Sequence, residues 1–509
     1  MADFKTIIGL EVHVQLKTKS KMFCACDNQS YVPRNGASDG KLVEAEPNTL
    51  VCPVCLGMPG TLPVANWQAV EMTVKTGLAF GCEILPESKF DRKHYFYPDL
   101  PKGFQISQYD MPLCKGGEVE IKIQDTRYNN QTNSKFQIPN SKKIRLNRIH
   151  LEEDAGKLVH PPGGHYSLVD LNRAGTPLME IVTDPDITSP AQARKFMEEL
   201  QLALRYLSVS DADMEKGQLR CDANISITKN GQIRTTNKTN NEQRTIKMSP
   251  IVEIKNLNSF KFVEQALLYE EKRLRDDFEN WPQKPTKITR GFDSKKAVTF
   301  AQRRKEEAAD YRYFPEPDIP PIKLTKSQIA NLESQIKELP KQKKEKYLAA
   351  GIREDVAEKI IRAPRLAEYL ESAEMLENDL ATFVAEQVKI SETNRLKIRD
   401  LAELLNFVKE GIISKTVAKQ VYAQMTRTGG RASDIIKKQG LEQVSDKNEL
   451  TAAIREVVKK NPELVEKYRG GKTRVLGFFI GEIMKKTSGK ANPQVLHKLL
   501  KKHLDGNNF

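Results

Sequence analysis

The sequence predicts an α+β protein in three parts: an N-terminal mixed-sheet domain at 1–295, an all-α domain at 296–410 and an all-α tail at 411–509. Three observations predict it. The first 295 residues carry short runs of alternating apolar and polar residues, broken by glycine and proline, which is the period-two signature of half-buried strands. Past Pro315-Glu316-Pro317-Asp318-Ile319-Pro320-Pro321 the apolar spacing lengthens to three and four residues, that of helices. At 509 residues the chain also exceeds what one hydrophobic core holds, so it should divide.

The first strand reads Ile8-Gly9-Leu10-Glu11-Val12-His13-Val14-Gln15-Leu16. Val12, Val14 and Leu16 take its core side, which leaves Glu11 and His13 together on the other face. Further strands are expected at 119–123, 167–171, 178–182, 224–228 and 251–255, and helices at 68–80 and 190–206. The polar stretch 229–250 reads as a long solvated loop. The proline cluster, short of backbone donors and fixed in φ, reads as an extended connector. Helices follow at 325–350, 353–371, 375–390 and 394–409. In the tail, Asn461-Pro462 and Asn492-Pro493 each place a capping side chain before proline at the first helical position. The final helix carries a stripe of Val495, Leu496, Leu499, Leu500 and Leu504, with Lys498, Lys501 and Lys502 on other faces.

Composition narrows the function classes. No apolar run is long enough to span a bilayer; the densest late one, 475–484, is interrupted by Gly477, Gly481 and Glu482. The first residues lack the layout of a signal peptide, so a cytoplasmic location is expected, and the seven cysteines read as thiols or metal ligands. The net charge of +14 is uneven. Residues 411–509 hold 20 Lys and Arg against 9 Asp and Glu, a local +11 that fits a polyanion-binding surface and equally a solvated helical tail.

Cys24-Ala25-Cys26 and Cys52-Pro53-Val54-Cys55 form two close pairs, and four thiolates complete the tetrahedral shell of a structural zinc site. Cys82, Cys114 and Cys221 read as small core residues. Glu180 stands among apolar neighbours in Leu178-Met179-Glu180-Ile181-Val182, where an unpaired carboxylate is costly and needs a cation or an ion pair. With Glu11, His13 and the acidic run Glu152-Glu153-Asp154, it would make an oxygen-rich Mg²⁺ site with one nitrogen ligand. Taken alone, Glu11 and His13 are better explained by the wet face of a strand. Arg92 and Lys93, interleaved with Tyr95 and Tyr97, are candidates to clamp phosphates and stack a base or ribose. Arg173 and Lys255 are phosphate contacts or ion-pair members. No complete Walker A loop is present: Gly471-Lys472-Thr473 ends like one, but the earlier glycine position holds Glu466. Nor is there a G-x-S-x-G elbow or a kinase H-R-D.

The segments IGLEVHVQLKTKSKMFC, CPVCLGMPG, KFDRKHYFYPDLPKGFQISQYD, HLEEDAGK, SLVDLNRAGTPLMEIV, LRCDANIS, EIKNLNSF and KEEAADYRYFPEPDIPP run in order from Ile8 to Pro321. Together they closely resemble the GatB family, the B subunits of aspartyl/glutamyl-tRNA amidotransferases. The resemblance implies a cradle fold in the first domain, a helical domain, and a tail gripping tRNA. It implies one member of a heterotrimer completed by an amidase (GatA) and a small bracing protein (GatC). The present chain would use ATP and Mg²⁺ to phosphorylate the side-chain carboxylate of Glu-tRNA(Gln) or Asp-tRNA(Asn), and ammonia from the amidase would then displace the phosphate. Carried over residue by residue, the Mg²⁺ site matches Glu11, His13, Glu153 and Glu180, with Glu152 an alternative to Glu153; the four cysteines match the zinc site of those members that keep it. A non-catalytic tRNA-binding scaffold is the alternative reading, and the retained metal residues argue against it.

Overall fold

The computed structural model describes residues 4–28, 31–33, 42–122, 141–229, 247–282, 285–302, 311–393, 395–441, 447–487, 491 and 493–506. Most of the expected 229–250 loop lies outside them. The chain forms two compact units, Met1–Pro340 and Lys341–Phe509.

A ten-stranded sheet organises the first unit. Its labelled elements are β1 (Phe4–Gln15), α1 (Trp67–Ala79), β2 (Asp91–His94), β3 (Phe104–Ser107), β4 (Ser141–Glu153), β5 (Pro177–Thr183), α2 (Pro190–Tyr206), β6 (Leu219–Lys229), β7 (Val252–Leu257), α3 (Phe260–Asp276), β8 (Ile288–Asp293) and β9 (Val298–Ala301). The order across the sheet is β9-β8-β7-β6-β1-β5-β4, continued by the two-residue strands Cys114–Lys115 and Glu83–Ile84. Glu118–Lys122 pairs with the outer half of β4. Only β7 and β8 run parallel; the other pairings along the sheet are antiparallel. The sheet therefore continues past residue 295, through β9.

β1 is central and follows the expected alternation. Ile8, Leu10, Val12 and Val14 are fully or almost fully buried, and Glu11, His13 and Gln15 between them are partly exposed. On the apolar face the sheet meets α2 and α3, whose Phe196, Met197, Leu200, Leu204, Val263 and Leu267 are buried in the same core. Each such side chain contributes roughly 1.5–3 kcal/mol by leaving water. The opposite face is free to carry polar groups.

The proline cluster is extended, as expected, but docks on the first unit. Phe314–Pro315 pairs with β2, and the Glu316 carboxylate is buried against Arg92. Past the proline cluster, prolines restart helices that the apolar period alone would run together. Lys326–Ser334 is followed by a new helix at Pro340–Ala349, and Glu354–Ile361 by Pro364–Glu371; proline has no N–H to give and is tolerated only in the first turn. The last four helices share a separate core of Leu450, Ile454, Phe479, Ile483, Leu496, Leu500 and Leu504, as the stripe in the final helix predicts. Asn461 precedes Pro462 but makes no side-chain cap; its amide donates back to the Val457 carbonyl at 2.9 Å. No helix among the described residues is long and apolar enough to cross a membrane.

Candidate active site

Residues directly opposite one another in an antiparallel ladder project to the same face. His13 of β1 lies opposite Glu180 of β5 and Arg220 of β6, and Glu180 lies opposite His150 of β4. Arg220, His13, Glu180 and His150 therefore form one row across four strands, on the face turned away from α2 and α3. The neighbouring rows hold Asp222, Glu11, Val182 and Arg148 on one side, and Gln15, Leu178 and Glu152 on the other.

At the centre, one donor atom each from His13, Glu152 and Glu180 lie within 4.8 Å of one another. His13 Nε2 is 3.7 Å from Glu152 Oε1 and 3.8 Å from Glu180 Oε2, too far for direct hydrogen bonds. His150 Nε2 is 3.1 Å from the same Glu180 oxygen. Burial opposes ionisation of Glu180, but His150, His13 and Lys93 outweigh it and hold the carboxyl well below the usual range. Glu11 is shifted the opposite way, upward, by burial first and then by the Glu180 charge, against one hydrogen bond from the Asn224 amide at 2.9 Å. One imidazole facing a group of carboxylates, two of which repel, is a donor set that fits a hard divalent cation.

Of the Glu152-Glu153 doublet, the structure brings Glu152 to this cluster and turns Glu153 away. A β-bulge between Leu146 and Arg148 resets the alternation of β4. Beyond it Arg148, His150 and Glu152 take the polar face, while Ile149, Leu151 and Glu153 take the other. Glu153 is held there by the Lys102 ammonium, 2.6 Å from Oε2, and by the Ile106 N–H at 3.0 Å. It faces a separate cavity of about 130 Å³, also lined by Arg92, Cys24 and Cys55.

The four candidate phosphate-binding cations are placed differently from one another. Arg92 is engaged with Glu316 at 2.7 and 2.9 Å and with Asp318 at 3.1 Å, and its guanidinium stacks on Phe104. Arg173 donates to the carbonyls of Ala155 and Gly156 and lies 3.6 Å from Asp154. Lys255 bridges Asp222 at 3.1 Å and Glu253 at 2.9 Å. Lys93 has no carboxylate within 4 Å among the described residues; its ammonium sits 4.9 Å from the centre of the Tyr311 ring and 5.9 Å from that of Tyr95. Burial disfavours its charge, but Glu152, the Tyr313 phenol and Glu180 together raise its pKa. It is thus a cation aimed at the carboxylate cluster and walled by aromatic rings.

The four cysteines converge as their spacing predicts. One sulfur from each of Cys24, Cys26, Cys52 and Cys55 lies within 4.8 Å of the rest, with Cys55 at 3.9 Å from Cys52 and 4.0 Å from Cys26. A tetrahedral Zn–S bond of about 2.3 Å places sulfurs about 3.8 Å apart, so the set fits the ion with little movement. Cys55 carries the anion most readily, pulled down to about 4 by the Cys24 thiol, by the Cys52 N–H at 3.1 Å and by Lys21. Cys82, Cys114 and Cys221 are buried and stand outside this group.

Residues 6–330 match the family described as the GatB/GatE catalytic domain, and residues 355–504 match the GatB domain. The B subunit of the aspartyl/glutamyl-tRNA(Asn/Gln) amidotransferase from Thermodesulfovibrio yellowstonii is 45% identical, over 99% of each chain. Those from Pseudothermotoga lettingae and Persephonella marina are each 42% identical, over 99% of this chain and 100% of theirs. The chain belongs to the GatB family.

The polar sheet face lies wholly inside the GatB/GatE catalytic match. Several of its residues carry a signal in the sequence. Arg220, Asp222 and Asn224 alternate with buried Leu219, Cys221 and Ala223 along β6, so LRCDANIS is itself an uninterrupted period-two polar face. Arg220 holds Asp154 at 2.7 Å, and Gln15 holds the same oxygen at 2.9 Å. His150 was legible in HLEEDAGK, two residues before Glu152, once the strand is continued through it. A cavity of about 1410 Å³ lies elsewhere, among helices of the second unit, and none of the metal-type donor clusters among the described residues falls in it.

Proposed function

We propose that this GatB-family chain is the kinase and transfer component of a glutamine-dependent tRNA amidotransferase. It would use ATP to phosphorylate the side-chain carboxylate of Glu-tRNA(Gln), Asp-tRNA(Asn) or both, and pass the acyl phosphate to ammonia. One observation carries the reading: a His and two Glu converge on the polar face of a catalytic-domain sheet, beside a lysine free to meet phosphate.

Glu11, His13, Glu152 and Glu180 would hold Mg²⁺, with Glu152 in the place first given to Glu153. When bound, Mg²⁺ neutralises charge on the transferring phosphoryl group. The chain's own residues do the rest by positioning. Lys93 presents its charge to phosphate oxygens, while Tyr95, Tyr311 and Tyr313 form a wall for a ring or ribose. Asp222 and Glu253 fix Lys255, and Asp154 fixes Arg220, so these cations frame the site more than they contact phosphate. The substrate carboxylate oxygen attacks the γ-phosphorus, the bond to the β-phosphate oxygen breaks, and ADP leaves. Ammonia then adds to the acyl carbon, inorganic phosphate departs, and Gln-tRNA or Asn-tRNA results.

The four-cysteine group would be a structural zinc clip. The amidase GatA and the small protein GatC are the proposed partners, with the cytoplasm as the place of action. The helical stretch up to 410 would serve as a spacer and the basic region 411–509 as the tRNA grip.

The test is amidation by the assembled heterotrimer. Glu152→Gln and Glu11→Ala should each lower Gln-tRNA or Asn-tRNA formation by about 100-fold or more, with glutamine hydrolysis still measurable. Near-normal amidation by Glu152→Gln, together with its loss in Glu153→Gln, would return the ligand role to Glu153.

A further inference from the structure

Lys21 is only 1% exposed, and among the described residues its ammonium has one oxygen partner, the Leu171 carbonyl at 3.5 Å. No carboxylate lies within 4 Å of it among the described residues. The nearest group able to bear negative charge is the Cys55 sulfur, at 3.9 Å. A buried ammonium without a counter-charge is strongly destabilising, so the site must supply one. Four thiolates around a dication carry a net charge of −2, and Cys55, the one buried cysteine of the four, is the one that faces Lys21. The buried ammonium is explained by that charge.

We infer that Lys21 is the counter-ion of the four-cysteine metal site, and that through Lys21 the bound metal fixes the loop carrying Arg173. This rests on the zinc reading of the four cysteines. Lys21 is built into the clip: its N–H donates to the Cys26 carbonyl at 3.0 Å, and the next N–H, of Met22, donates to the Gly175 carbonyl at 2.7 Å. Gly175 has φ +82°, and a Cβ there would stand 3.6 Å from both Cys55 Cβ and Lys21 Cδ. The Leu171 and Gly175 carbonyls bracket Arg173, whose guanidinium holds the turn after Asp154. A charge held at the cysteines is thus connected, through one side chain and one loop, to the edge of the polar sheet face.

The experiment is zinc competition against a chromophoric chelator at fixed neutral pH on the full-length chain, with bound zinc counted by elemental analysis and thermal melting recorded with and without metal. The wild type should bind one zinc. Lys21→Met, and Lys21→Gln, which keeps a donor for the Leu171 carbonyl without the charge, should each bind it about ten-fold or more weakly. Stripping zinc should lower the melting temperature more in the wild type than in either variant, because only the wild type is left with a lone buried ammonium. A wild type that takes up no zinc overturns the zinc reading and this inference together. Zinc held by the wild type and by Lys21→Gln with affinities within two-fold overturns the counter-ion role alone. Should Lys21→Met fail to fold, Lys21→Gln decides.

Discussion

Among the described residues His150 has one partner and one bare nitrogen. Its Nε2 meets Glu180 at 3.1 Å, while Nδ1 is buried without a hydrogen bond. A buried imidazole that spends its only contact on a proposed ligand is a positioning group: it fixes which way the Glu180 oxygens point. Replacing His150 by Ala should cost about 1.5–3 kcal/mol, the worth of a hydrogen bond to a charged group. It should also raise the Mg²⁺ concentration needed for half-maximal amidation, and His150→Gln, which keeps an N–H donor, should recover part of both. An unchanged Mg²⁺ requirement in His150→Ala would remove His150 from the site. At this scale the sequence shows the type of each residue but not whom it reaches. Arg92, Lys93, Arg173 and Lys255 look alike as letters; three are engaged by carboxylates or carbonyls from 2 to 226 positions away.

Elements were legible where one rule operates along their whole length. β1 alternates without interruption, and α2 occupies the expected 190–206, between a Ser189 cap with Pro190 after it and the end of its apolar period. β4 breaks the rule. Its core residues are Ile144 and Leu146 before the bulge but Ile149 and Leu151 after it, so strict alternation read across the break loses the strand and leaves the 152/153 choice open. The capping of α1 supports a prediction. Asn66 Oδ1 accepts from the Gln68 N–H at 3.0 Å, and its Nδ2 donates to the carbonyls of Ser20 at 2.9 Å and Lys21 at 3.2 Å. It therefore caps a helix and ties that helix to the cysteine loop. Asn66→Asp keeps the cap acceptor and loses the tie; Asn66→Ala loses both. The Ala variant should be destabilised beyond the ~1 kcal/mol of a lost cap, and the Asp variant by less. An Asp variant that melts together with the wild type would show that the tie to the loop contributes nothing.

At the scale of the molecule, the polar sheet face and the positive charge are segregated: the first belongs to the first unit, and the basic excess of 411–509 to the second. The final helix shows how the tail keeps that charge available. Leu496, Leu500 and Leu504 are fully buried in the core of the last helices, so the residues between them turn outward and Lys498, Lys501 and Lys502 are exposed. Cationic side chains that displace counterions from phosphates give an affinity that falls as salt rises, with a slope of roughly 0.7–0.9 per phosphate contact on logarithmic axes. Changing Lys498, Lys501 and Lys502 together to Gln touches none of the buried leucines, so the helix should form as before. If this face meets the tRNA backbone, tRNA binding at low salt should weaken and the slope against salt should fall by about one to three contacts' worth, with glutamine-dependent amidation recovering at saturating tRNA. Retention of the wild-type slope would move the tRNA contact to another face of the helical unit, whereas loss of amidation at saturating tRNA would mean that these lysines do more than hold the substrate.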